Sequence, residues 1–106
     1  MGKTARIAPS QEYIIAIRRY LRITSDALDS EITDLINAAK EDLALGGVLN
    51  ERINDETDAL IKRAVATYVK AEFGLDNDDS EKFRASYDSL KVQLLLANTY
   101  ILQEEA

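Results

Sequence analysis

The chain has 106 residues, 46% of them hydrophobic and 30% charged, with a formal net charge of −6. That fits one globular domain and argues against wholesale disorder. It contains neither cysteine nor histidine, which excludes disulfides, thiolate nucleophiles, zinc sites built on His or Cys, and any histidine-based triad. Catalysis would have to rest on carboxylates, Lys or Tyr, so composition already points to a binding or structural role.

Residues 1–9 read as a flexible arm that carries Lys3 and Arg6 and ends in Pro9, the only proline. No long apolar run follows Met1 and position six is Arg6, so neither a signal peptide nor a myristoylation site is expected. Ser10 is placed to cap a first helix over residues 11–21, in which Tyr13, Ile14, Ile17, Tyr20 and Leu21 recur at helical spacing. Arg22 falls just past its end. Ser25 or Asp26 then caps a second helix over residues 27–45, whose narrow stripe is Leu28, Ile32, Leu35, Ile36, Ala39 and Leu43. Asp29, Glu31 and Asp34 sit early in it, where the macrodipole favours negative charge. Gly46 and Gly47 stop it, because glycine takes the left-handed conformation at a helix end without penalty.

The connector over residues 46–55 is expected to tuck Val48, Leu49 and Ile53 into the core. Asp55 caps a third helix, with Asp58 three residues on. Leu60, Ile61, Ala64, Val65, Tyr68, Val69 and Phe73 make the widest stripe in the chain, so this helix should be central; Gly74 ends it. A polar stretch from Asp76 to Ser80 starts a fourth helix with a seam of Phe83, Tyr87, Leu90, Leu94 and Ala97. Val92, Leu95 and Leu96 lie off that seam, and Tyr100, Ile101 and Leu102 continue apolar beyond it. A helix end that is apolar on every side suggests either a surface covered by another chain or a tail that folds back on its own core. The expectation is thus an all-α fold: one small domain of about four helices over residues 10–97, with a flexible N-terminal arm (1–9) and a C-terminal tail (98–106).

Charge is segregated. Residues 1–25 carry five basic residues and one acid, net +4, while residues 26–58 carry two basic residues and ten acids, net −8. The acidic run over residues 76–81 does not fit a calcium loop of the EF-hand kind, since its sixth residue is Glu81 and its twelfth Tyr87, where glycine and glutamate are needed. The carboxylate pairs Asp26 with Asp29 and Asp55 with Asp58 are explained by helix starts. No stretch approaches the roughly 20 apolar residues of a membrane span. No metal, cofactor or enzymatic activity is expected. Arg18, Arg19 and Arg22 form the one basic concentration, suited to phosphate, to an acidic protein surface, or simply to a solvated helix face.

Three stretches resemble a known family. One is Leu21, Arg22 and Ile23, a polar break, then Ile32, Leu35, Ile36 and Ala39. The second runs from Leu60 to Lys70 with Phe73 and Gly74 behind it, and the third is Phe83, Tyr87, Leu90 and Lys91. Together they resemble the small all-helical head–tail connectors of tailed bacteriophages, also described as DNA-packaging or head-completion adaptors. The family's second helix is usually more aromatic, where this chain has Leu43, Ala44 and Leu45. The resemblance implies a structural, non-enzymatic virion protein made in the bacterial host cytoplasm. It would form a ring of about a dozen copies under the portal, one face of each subunit meeting a different face of the next. The ring would extend the DNA channel, let duplex pass without sequence-specific binding, and dock the next head-completion or tail protein.

On the residues themselves, Arg18, Arg19 and Arg22 are candidates to face Asp29, Glu31 or Asp34 of a neighbour, or the portal. Leu95, Leu96, Tyr100, Ile101 and Leu102 are candidates for a partner-docking tail. Two alternatives remain at this stage: a cytosolic helical protein-binding regulator using the apolar end, and a small nucleic-acid-binding regulator using the arginines.

Overall fold

The computed structural model describes residues 7–73 and 79–101. The expected arm residues Lys3 and Arg6, the stop at Gly74, the run Asp76, Asn77 and Asp78, and Leu102 lie outside the described residues. In order, the helices are α1 Gln11–Tyr20, α2 Asp29–Gly46, α3 Asn50–Ile53, α4 Ala59–Glu72, α5 Ser80–Leu95 and α6 Asn98–Ile101; no strand occurs among the described residues. The four long helices are those the periodicity predicts. The two additional ones are single turns, too short for a periodic signal.

Helix α4 is the centre of the molecule and packs against α2, α5 and α1. Its buried residues are Ile61, Ala64, Val65, Ala66 and Val69. They join Ile17 of α1, Ile32, Ile36 and Leu43 of α2, Ile53 of α3, and Tyr87 and Leu94 of α5 in one core. Fully burying each large aliphatic side chain contributes roughly 1.5–3 kcal/mol, so this cluster outweighs any surface ion pair described below.

Capping explains where the helices begin, and it differs from the sequence expectation at two of them. Ser10 caps α1, its Oγ accepting from Tyr13 N at 3.1 Å. Helix α2 starts two residues later than expected. Ser25 Oγ accepts from Ala27 N (3.0 Å), closing a local turn, and Leu28 precedes the helix with no side-chain cap. Helix α4 is capped by Asp58 rather than Asp55. Asp58 Oδ1 accepts from Leu60 N and Ile61 N, both at 3.0 Å, whereas Asp55 binds Thr57 N and Oγ1 in a turn of its own. Either aspartate satisfies the sequence pattern, and only the path of the connector selects the later one.

Two helix ends share one geometry. At the end of α2, Val48 N donates to Leu43 O (3.0 Å) and Gly47 N to Ala44 O (3.1 Å), with Gly47 at φ +120°. This paired arrangement satisfies the last carbonyls and needs a left-handed residue after the helix, which glycine supplies. The end of α1 repeats it: Ile23 N donates to Arg18 O (3.2 Å) and Arg22 N to Arg19 O (3.0 Å). There the left-handed residue is Arg22, at φ 61°, the one non-glycine residue with positive φ among those described.

Candidate functional site

The basic cluster divides on folding. Arg18 Nε donates to Asp29 Oδ1 (2.9 Å) and its Nη2 to Asp29 Oδ2 (3.0 Å), a two-pronged pair inside one chain. The hydrogen bond from Arg18 holds the Asp29 carboxyl below its usual value. The pair fastens the end of α1 to the start of α2, so Arg18 and Asp29 already serve each other. Arg19 and Arg22 are exposed, as are Glu31 and Asp34 on α2. The left-handed turn at Arg22 thus leaves two guanidinium groups at the α1–α2 corner facing solvent.

The expected docking tail also divides. Residues 98–101 form α6, which is fastened at several points. Leu49 N donates to Tyr100 O (2.8 Å) and Arg52 Nε to Thr99 O (3.0 Å). The Tyr100 hydroxyl reaches both Asp58 oxygens, at 3.1 and 2.9 Å, so the residue that caps α4 also anchors α6. Leu95 and Tyr100 are half-buried against the core, and Ile101 is half-buried. Leu96, 78% exposed, and Val92, 54% exposed, one turn before it, face solvent.

A further exposed leucine, Leu45 at 78%, belongs to the same end of the molecule. Asp42 and Leu45 lie three apart on α2, and Asp42 accepts from the Tyr87 hydroxyl (2.6 Å) and from Lys91 Nζ (3.0 Å) of α5. A Cβ placed on Gly47 would lie 3.5 Å from Leu95 Cδ2, so the end of α2 abuts the last turn of α5. Leu45, Val92 and Leu96 therefore crowd one end. The exposure of Leu45 was readable: it stands two residues past the buried Leu43, on the far side of the helix.

The Asp42 contact is a polar strut between α2 and α5. Burial pushes the Asp42 carboxyl up, but the hydrogen bonds from Tyr87 and Lys91 outweigh it and hold the group below 3.8. Tyr87 also meets Tyr68 edge to face, with ring centroids 5.1 Å apart. Lys40 is the one buried charged residue among those described, 1% exposed. Its ammonium lies 5.2 Å from the Tyr13 ring centroid and 3.4 Å from Ile7 O, and burial pushes its pKa down against the pull of Glu56. Glu56 in turn accepts from Ser10 N (2.9 Å) and Ser10 Oγ (2.6 Å), tying the start of α1 to the connector.

On another side, α4 and α5 leave an open groove of about 480 Å³. Arg63 and Thr67 line it from α4, and Lys82, Ser86, Ser89 and Gln93 from α5; none of its described lining residues is acidic. Sequence reasoning missed this groove because its residues come from two helices and none belongs to a motif. Among the described residues, no group of three or more Asp or Glu side chains could hold a metal ion, and no helix is long and apolar enough to cross a membrane.

This is a set of surfaces fixed on a rigid helical core. The family model described as phage connector protein matches residues 14–101. The chain belongs to that family. The match runs from the first buried turn of α1 to the end of α6, so it includes the arginine corner, the groove and the apolar end. No curated protein and no solved structure matches the chain. A connector is a structural component, which accords with the expectation of no enzymatic activity.

Proposed function

We propose that this connector assembles as a ring beneath the portal at the head–tail junction of the virion. The ring extends the DNA channel and offers a docking surface to the next head-completion or tail protein. The observation that carries this reading is the family match across nearly all of α1–α6, on a chain whose two most exposed leucines, Leu45 and Leu96, lie where the end of α2 abuts the last turn of α5. A connector needs at least two separate contact surfaces, one for the vertex and one for the next component. The α1–α2 corner with Arg19 and Arg22 supports the first role, and the end with Leu45, Val92 and Leu96 supports the second. Exposed arginines at a rim mainly set orientation and encounter rate, while apolar burial supplies affinity. Duplex passing through such a channel must not be held, and net charge −6 disfavours the multiple phosphate contacts that would hold it.

The test is sedimentation of the chain with the portal protein of its own phage. Co-sedimentation that weakens with salt, and weakens further in Arg19→Glu/Arg22→Glu, is the expected result. Binding that leaves the double reversal and the salt dependence unchanged would remove the corner from the account. No binding at any salt would remove the portal reading.

A further inference from the structure

We infer that the groove between α4 and α5 receives the acidic face of α2 from a neighbouring copy of this chain. This rests on the ring reading and says which faces close it.

The groove and the face are complementary. The groove supplies two cationic side chains, Arg63 and Lys82, and the neutral donors Thr67, Ser86, Ser89 and Gln93. Of these, Thr67 Oγ1 is bonded to Arg63 O, and Lys82 keeps an exposed contact to Asp79 at 3.7 Å. In a chain of net charge −6, a groove lined by cations and neutral donors selects an acidic occupant. The solvent side of α2 is such an occupant. Glu31, Asp34, Asn37 and Glu41 step by three, three and four along it, all exposed, opposite the buried Ile32, Ile36, Ala39 and Leu43.

Their placement makes the contact head-to-tail. Arg63 and Thr67, one turn apart, lie on the side of α4 opposite its buried row Ile61, Val65 and Val69. The α2 stripe likewise points away from the core on another helix. A groove on one side and a matching ridge on another cannot satisfy each other within one subunit. They join different faces of successive copies, which is the arrangement that closes rings.

The chain has no cysteine, so introduced cysteines report contact without background. Full-length Asp34→Cys and Ser89→Cys proteins are mixed in equal amounts under mild oxidation. The expected result is about tenfold more mixed disulfide dimer than either homodimer. Mixed dimer at no more than the twofold excess over each homodimer that random pairing gives, or no disulfide dimer, overturns the proposal. A second arm reverses charge on exposed positions that leave the core untouched. Arg63→Glu/Lys82→Glu and Glu31→Lys/Asp34→Lys should each fail to self-associate, and their mixture should associate.

Native mass spectrometry of the wild-type chain separates the two layers. If it assembles while the mixed disulfide is not favoured, the ring stands and this interface falls. If the mixed disulfide is favoured but the wild type never exceeds a dimer, the interface stands and the ring falls. Duplex DNA is the competing occupant: if it binds the groove in a way that Arg63→Glu/Lys82→Glu abolishes, and no mixed disulfide forms, the groove is a phosphate site and the proposal is wrong.

Discussion

Arg22 offers a test in which stability and function should move in opposite directions. Its φ of 61° puts a side-chain-bearing residue in the left-handed region, which costs roughly 1–2 kcal/mol relative to glycine. Arg22→Gly removes that cost but loosens the unfolded chain, which takes back about 0.4–1 kcal/mol. The side chain is exposed, so little packing is lost. The net expectation is a gain of about 0.5–1 kcal/mol, equivalent to a rise of ~2–5 °C in Tm for a domain of this size. Arg22→Ala is the control: it removes the guanidinium but keeps a Cβ in the same strained conformation, so Tm should barely change. Thermal and urea unfolding followed by far-ultraviolet circular dichroism measure both variants. If Arg22 is kept for its exposed charge, the glycine variant should be more stable yet sediment less with the portal. A glycine variant no more stable than the alanine one would refute the backbone argument, and undiminished portal binding would refute the functional one.

Other expectations follow from the polar contacts. Tyr87→Phe removes the hydroxyl that helps hold Asp42 below 3.8 and should cost about 1–1.5 kcal/mol at neutral pH. A carboxyl with a lowered folded pKa contributes stability above its unfolded value that is lost as pH falls through the folded one. The fall in wild-type stability below about pH 4 should therefore be shallower in this variant, as measured by urea unfolding across pH. Lys40→Met replaces a buried ammonium with an apolar chain of similar volume and should stabilise the fold by about 1 kcal/mol at neutral pH. Burial lowers the Lys40 pKa, so the wild type binds fewer protons folded than unfolded as pH climbs toward 10.5. The advantage of the methionine variant should shrink over that range. Truncation after Ala97 deletes the Tyr100–Asp58, Leu49–Tyr100 and Arg52–Thr99 contacts. It should cost about 2–3 kcal/mol while leaving the four long helices formed. Loss of all helicity would show that α6 is needed to fold.

How much was legible from sequence depended on how local the determinant was. The broad stripe of α4 marked it as central, because one helix packed against three others must be apolar over much of its circumference. Ser10 and the Gly46–Gly47 stop were readable for the same reason: each acts within a few residues of itself. The cap of α4 was not, since Asp55 and Asp58 both fit and the choice depends on how the connector crosses the end of the core. Arg22 carried no sign of its left-handed conformation, which only the repeat of the α2 ending on α1 shows. The apolar tail after Leu94 fitted both a partner surface and a fold back onto the core, and the sequence pattern does not choose between them. Half of it is held within the chain by Asp58, a residue about forty positions away whose double role has no sequence signature. The groove is a property of two helices side by side, and the pattern of either helix alone is silent about it.

The central claim is that this connector works as a closed assembly of identical copies. Native mass spectrometry of the full chain across a range of concentrations, at low and moderate salt, addresses it most directly. The account predicts one discrete closed multiple of the subunit that falls apart as salt rises, with no ladder of open intermediates. A continuous ladder, or a single species whose abundance ignores salt, would contradict it.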